Sequence, residues 1–188
     1  QVRQAVNQVL SYYEKEGISL DHFREKSTRD FRRFWDSLGV RSPLKEIKVV
    51  YDRFFAKLRS QVSLVPGTKE ALSELEEKIG KDNIIILSQT NRNDIEYQLK
   101  RWDIGGYKGE LITTEAKNKA TVLFDLRTKK RLEVLYVDDM VDGAIAARRA
   151  GVDFAAVINE YSYHRKEDFR HHDPKYRISH LKELVALF

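Results

Sequence analysis

Val134-Leu135-Tyr136-Val137-Asp138-Asp139-Met140-Val141-Asp142, followed by Gly143-Ala144-Ile145-Ala146-Ala147-Arg148-Arg149-Ala150-Gly151-Val152, is the stretch whose reading decides the fold. The run Val134 to Val137 is short, continuous and apolar, as expected of a strand covered on both faces. A small-residue helix follows, with Ala144, Ala146, Ala147 and Ala150, and Gly151 stops it. The order strand, acids, helix puts the aspartates at the carboxyl end of a buried strand, where open parallel sheets form their ligand crevice. Two adjacent carboxylates there repel each other and are costly to desolvate unless a cation or hydrogen-bond donors neutralise them. Asp138, Asp139 and Asp142 therefore read either as a magnesium site or as acids at the positive end of a helix. Magnesium takes a few carboxylate oxygens together with waters and a phosphate. A helix N-terminus favours aspartate for its own reasons.

The same alternation extends outward. Ile84 to Leu87 is another apolar run, and it leads straight into Ser88-Gln89-Thr90-Asn91. A hydroxyl and successive backbone N–H groups at such a turn can hold a phosphoryl oxygen, or they can simply cap the next helix. That helix carries Ile95, Leu99 and Trp102 and ends at Gly105-Gly106. A weaker strand, Leu111 to Thr113, leads to a helix with Val122, Leu123 and Leu126. Ala155 to Ile158 is the last expected strand, and Ser179 opens a final helix through Leu181, Leu184, Val185 and Phe188. Upstream, Pro66-Gly67 is a turn, Thr68 is the expected cap of a helix, and Gly80 ends it. Strands alternating with helices imply right-handed crossovers and a parallel sheet.

Before Val62 the pattern is different. Val2, Ala5, Val6, Val9, Leu10 and Tyr13 share one helix face. Phe31, Phe34, Trp35 and Leu38 share another, and so do Ile47, Val50, Tyr51, Phe54, Phe55 and Leu58. The fold class expected is α/β: a Rossmann-like parallel sheet over residues 64–188, with an N-terminal all-helical lobe of three or four helices over 1–63.

Composition bounds the rest. With 188 residues, 41% of them hydrophobic and 34% charged, the chain can bury a core, and disordered or collagen-like classes are excluded. It has no Cys, hence no disulfide, thiolate metal site or cysteine nucleophile, which suits a reducing, cytoplasmic setting. No apolar stretch approaches the roughly 18 residues of a membrane span, and no signal-peptide pattern opens the chain. The net charge of +5 comes from 34 basic and 29 acidic residues. Interspersed in this way, it describes a solvated surface better than a nucleic-acid partner. The stretch His164 to Asp173 lacks the spacing that converges metal ligands and reads as a polar loop.

From Leu64 to Phe188 the chain resembles the haloacid dehalogenase superfamily, chiefly its phosphatases with a helical cap. The resemblance rests on four features: Leu64-Val65-Pro66-Gly67 with its following helix; Ser88 directly after an apolar strand; Lys117 or Lys119 ahead of Ala120, Val122 and Leu123; and the Asp138-to-Val152 pattern. The last is the most specific, because its parts must occur together. The resemblance implies a magnesium-dependent phosphatase acting on a small phosphorylated compound. In it Ser88, with Gln89 and Thr90, binds the phosphoryl group, and Lys117 or Lys119 neutralises phosphate and nucleophile. Residues 1–63 stand where the cap lies, and Arg24, Lys26, Arg29, Arg32, Arg33 and Arg41 could meet an anionic substrate there.

Three departures qualify the expectation. Asp138 replaces the usual Gly of the acidic motif and Gly143 occupies the commonest position of its second acid. Asp139 is therefore the expected main metal ligand, with Asp138 and Asp142 in support. The prolines that often follow the motif lysine are absent, which leaves Lys117 and Lys119 tied. The family's Asp-x-Asp motif, whose first Asp forms an aspartyl-phosphate, would lie ahead of Gln1, so the chain as written is expected to lack its nucleophile and not to turn over. A sheet without that central strand is expected to leave two inner edges unpaired. The alternative reading is a non-catalytic module that binds a phosphorylated ligand or a protein.

Overall fold

The apolar stripe of the first helix, α1 (Val2–Tyr12), buries Ala5, Val6, Val9 and Leu10, the spacing of one face of a 3.6-residue helix. In the computed structural model, which describes residues 1–28, 30–90, 92–104, 110–113, 118–129 and 131–188, α1 packs on α4 (Leu44–Leu58). Two short helices stand between them in sequence, α2 (Leu20–Lys26) and α3 (Phe31–Ser37). Each is capped by a side chain: Ser19 Oγ accepts from His22 N at 3.1 Å and Asp30 Oδ1 from Arg33 N at 2.9 Å. Trp35 is fully buried and meets Phe31 and Phe34 edge-on. These helices form one compact unit, Gln1–Ser63; Leu64–Phe188 form a second.

The second unit opens with α5 (Thr68–Ile79). The expected cap, Thr68, is instead its first helical residue. Gly67 holds the cap position at φ +76°, a left-handed conformation that glycine adopts without strain. The strands among the described residues that follow are β1 (Ile85–Ser88), β2 (Glu110–Thr113), β3 (Leu135–Asp138), β4 (Asp153–Val157) and β5 (Tyr176–Ile178). The intervening helices are α6 (Arg92–Arg101), α7 (Lys119–Thr128) and α8 (Val141–Ala150), and α9 (Lys182–Val185) closes the chain.

Among the described residues every ladder is parallel, as the alternation requires, and the strands pair in two groups. β1 pairs with β2, and β3, β4 and β5 pair in that order. Among the described residues β1 has a ladder on one edge alone, and so does β3. All four residues of β1 are partly buried; within the apolar run, Leu87 packs against one core cluster and Ile84 against the other. β5 is an element that periodicity did not reveal: three residues are too few to display an alternation. Gly105-Gly106, the expected end of α6, lie outside the described residues.

The central strand β4 is covered on both faces. Phe154 and Ala156 join one cluster with Leu123, Tyr136, the α8 alanines and Phe169. Ala155 points the other way, to Leu75, Ile178 and Leu184. This two-residue period places Tyr136 and Asp138 of β3 on the face that looks toward α7 and α8. Phe169, fully buried, anchors the polar stretch after β4, so that stretch is not merely a surface loop. Replacing Phe169 with Ala should lower the unfolding free energy by about 3–5 kcal/mol, measured by chemical denaturation.

Candidate active site

At the carboxyl end of β3 three side chains close a triangle. Lys119 Nζ donates to Tyr136 Oη at 2.6 Å and to Asp138 Oδ2 at 3.0 Å, and Tyr136 Oη donates to the same Asp138 oxygen at 2.5 Å. The ion pair is well buried, with side-chain exposures of 10% and 9%. Lys119 is the first residue of α7, whose start is held by Asn118 Oδ1 accepting from Thr121 N at 3.1 Å. The second oxygen of Asp138 accepts from Asp139 N at 2.8 Å and Met140 N at 3.2 Å. Asp138 is thus neutralised by hydrogen-bond donors and a cation, one of the two outcomes its position demands.

This packing depends on a glycine. A Cβ built on Gly143 would lie 2.6 Å from Asp138 Oδ2 and 2.7 Å from its Cβ and Cγ. Alanine is the better helix former by about 1 kcal/mol, yet here it would displace the carboxylate. Gly143→Ala should therefore destabilise by about 1–3 kcal/mol, visible as a lower denaturant midpoint, where helix propensity alone would raise it.

Asp139 has different surroundings. Its Oδ2 accepts from Tyr163 N at 2.9 Å, and its carbonyl accepts from His164 N at 3.3 Å. Burial pushes its carboxyl up to about 6; the Tyr163 N–H opposes the rise and the charge of Asp138 adds to it. The loop that delivers Tyr163 is pinned by Ser162, whose Oγ donates to Val157 O at 2.9 Å and accepts from Asn159 N at 3.0 Å. A carboxyl with a pKa above its unfolded value costs stability, fully so above about pH 6 and not at all well below about pH 4. Asp139→Asn should accordingly unfold at a higher temperature than the wild type at neutral pH with a chelator present, and the difference should vanish in acid.

Asp138, Asp139, Lys119 and Tyr136 line one cavity of about 360 Å³, with Val65, Pro66 and Leu87 among its other walls. Asp142 is not among its lining residues. It sits in the first turn of α8; burial and the charge of Arg148 hold the nearby His172 imidazole below its ordinary value, and Asp142 only partly offsets them. Ser88 ends β1, in the other group of strands. Its Oγ accepts from Thr90 N at 3.1 Å, a closed turn of the capping kind, and Ser88, Gln89 and Thr90 are likewise absent from the cavity wall. Lys117 and Asn91 lie outside the described residues, as does Arg29. Among the described residues, no group of three or more metal-ligating side chains converges on one point. Magnesium keeps several waters and uses only one or two carboxylates besides a phosphate. Asp139, a buried carboxylate with no ion pair to a cation among the described residues, fits that chemistry.

Sequence reasoning missed Tyr136, Ser162 and the backbone of Tyr163. Tyr136 passes for one more apolar strand residue, and a backbone donor has no side-chain signature.

Comparison with known proteins identifies the family and the fold. A family description, haloacid dehalogenase-like hydrolase, matches residues 1–157. The chain belongs to that family. Among solved structures, it is similar to a haloacid dehalogenase-like hydrolase from Streptococcus pneumoniae, with 16% identity and a TM-score of 0.83 over 100% of this chain and 90% of that one. A predicted phosphoglycolate phosphatase from Haemophilus somnus matches at 15% identity and a TM-score of 0.80, covering 99% and 89%. CbbY from Rhodobacter sphaeroides, solved in complex with phosphate, matches at 16% identity and a TM-score of 0.69, covering 97% and 88%. No curated protein matches the sequence. The neighbours establish the fold of this hydrolase, an α/β unit with parallel strands and a helical N-terminal unit. Among the described residues no helix is long and apolar enough to cross a membrane.

Proposed function

We propose that this hydrolase is a magnesium-dependent phosphatase of small phosphorylated compounds. The observation that carries the reading is that a lysine held on Asp138 and a second buried carboxylate, Asp139, line one cavity at a strand end. Asp139 would hold the magnesium, which when bound supplies positive charge to a phosphoryl oxygen. Lys119 would offset the charge of the phosphoryl group, and Asp138 would hold Lys119 in place. Ser88, which follows Leu87 of the cavity wall without itself lining it, would with Gln89 and Thr90 receive a phosphoryl oxygen at the end of β1. Residues 1–63 would serve as the cap that selects the substrate. The phosphatase names among the structural neighbours favour a small substrate, and the absence of cysteine suits a cytoplasmic setting.

In this reading the nucleophile is a carboxylate of the Asp-x-Asp motif. The edges of β1 and β3 that carry no ladder among the described residues are where a parallel strand bearing it would pair. The first Asp would bond to phosphorus as the P–O ester bond breaks, the second Asp of the motif giving the departing oxygen its proton. Water, losing a proton to that second Asp, would then cleave the acyl phosphate, releasing inorganic phosphate and restoring the carboxylate.

The test is hydrolysis of p-nitrophenyl phosphate by a form of the protein that includes an Asp-x-Asp strand. Turnover should require magnesium, vanish in Asp139→Ala and fall by about 10²–10³ in Lys119→Met. No turnover under these conditions would remove the catalytic reading. Thermal stabilisation by phosphorylated ligands without turnover would instead favour a binding module.

A further inference from the structure

Tyr136 is unusual for its place. It stands inside an apolar strand, between Leu135 and Val137, where an aliphatic side chain would pack without needing a polar partner. A buried phenol must find a hydrogen-bond partner or lose stability. It finds two of opposite charge, the ammonium of Lys119 at 2.6 Å and the carboxylate of Asp138 at 2.5 Å.

Two corners of the triangle are rigid on independent grounds. Asp138 is oriented by the N–H groups of Asp139 and Met140 and by the missing Cβ of Gly143. The ring of Tyr136 is buried and packs on Phe154 with centroids 6.1 Å apart. The third corner is a point charge on a flexible four-carbon stem. A carboxylate contact fixes the distance of such an ammonium from that oxygen but not its direction. A partner fixed on the same strand face, two residues away, restricts the direction as well. The ammonium also lies 5.3 Å from the centroid of the Tyr136 ring, so ring and hydroxyl both bear on it.

We propose that Tyr136 is a positioning residue: with Asp138 it forms a two-pronged holder that sets where the Lys119 ammonium stands in the cavity, and hence how well the site takes a phosphoryl group. The proposal rests on the phosphatase reading, because it needs Lys119 to face that group. Tyr136 touches neither phosphorus nor metal in this role. Its effect is carried by Lys119.

The test measures binding of inorganic phosphate and of magnesium to the full chain by calorimetry, in the wild type, Tyr136→Phe, Lys119→Met and Lys119→Arg. Tyr136→Phe keeps the ring and removes only the hydroxyl. It should bind phosphate about tenfold more weakly, a loss of about 1.4 kcal/mol, with magnesium affinity unchanged. A merely structural role would leave phosphate affinity unmoved or weaken both ligands together. Lys119→Arg keeps the charge but cannot place it at the same point, so it should lose phosphate affinity to a similar extent, and it carries the test if Tyr136→Phe does not fold. Wild-type phosphate affinity in Tyr136→Phe, alongside loss in Lys119→Met, would overturn the positioning role and leave the phosphate site standing. Wild-type affinity in Lys119→Arg would overturn it too. No phosphate binding by the magnesium-loaded wild type would overturn the phosphatase reading, and the positioning role with it.

Discussion

The buried pairing of Lys119 with Asp138 is the constraint around which the second unit is arranged. Two charges removed from water destabilise a protein unless each is met by an opposite charge and by further hydrogen bonds. Here the carboxylate receives two backbone N–H groups, a phenol and an ammonium. Meeting that demand requires β3 to end where α8 begins, Gly143 to lack a side chain, and α7 to start with its first residue above the strand. The Asn118 cap, the tyrosine inside an apolar strand and the glycine in a helix each make local sense once the ion pair is recognised.

Neutralising Asp138 leaves its neighbour exposed to the opposite fate. Asp139 lies next in the chain and lines the same cavity, with a backbone N–H on one oxygen, and burial raises its pKa. Adjacent aspartates thus do different work: one is consumed by the protein's own lysine, the other retains a demand for positive charge. The environment, not the residue type, separates their roles. The loop after β4 takes part in this division, because Phe169 anchors it in the core and Ser162 shapes the turn that brings the Tyr163 N–H to Asp139.

Much of this was legible beforehand. The helix faces of α1, α3 and α4 and the strand-helix order after Pro66 follow from periodicity, because burial on one side imposes it over many residues. The acid cluster at the end of β3 was readable for the same reason: a continuous apolar run has a definite end. Less was readable where a feature is short or depends on distant chain. β5 has three residues, and the cap of α5 is a glycine rather than the threonine beside it.

The site divides along the same line. By itself the sequence determined the fold class, the alternation that makes every ladder parallel, and the candidates Ser88, Lys119, Asp138 and Asp139, since composition and order along the chain specify these. Only the tertiary structure decided which aspartate the lysine takes, that Tyr136 completes the triangle, that Asp142 stands apart from the cavity, and that the strands among the described residues pair in two groups. Those outcomes depend on distances between residues far apart in the chain, from Lys119 to Asp138 and from Asp139 to Tyr163. Such distances are set by how whole elements pack, and no local pattern of residue types encodes them.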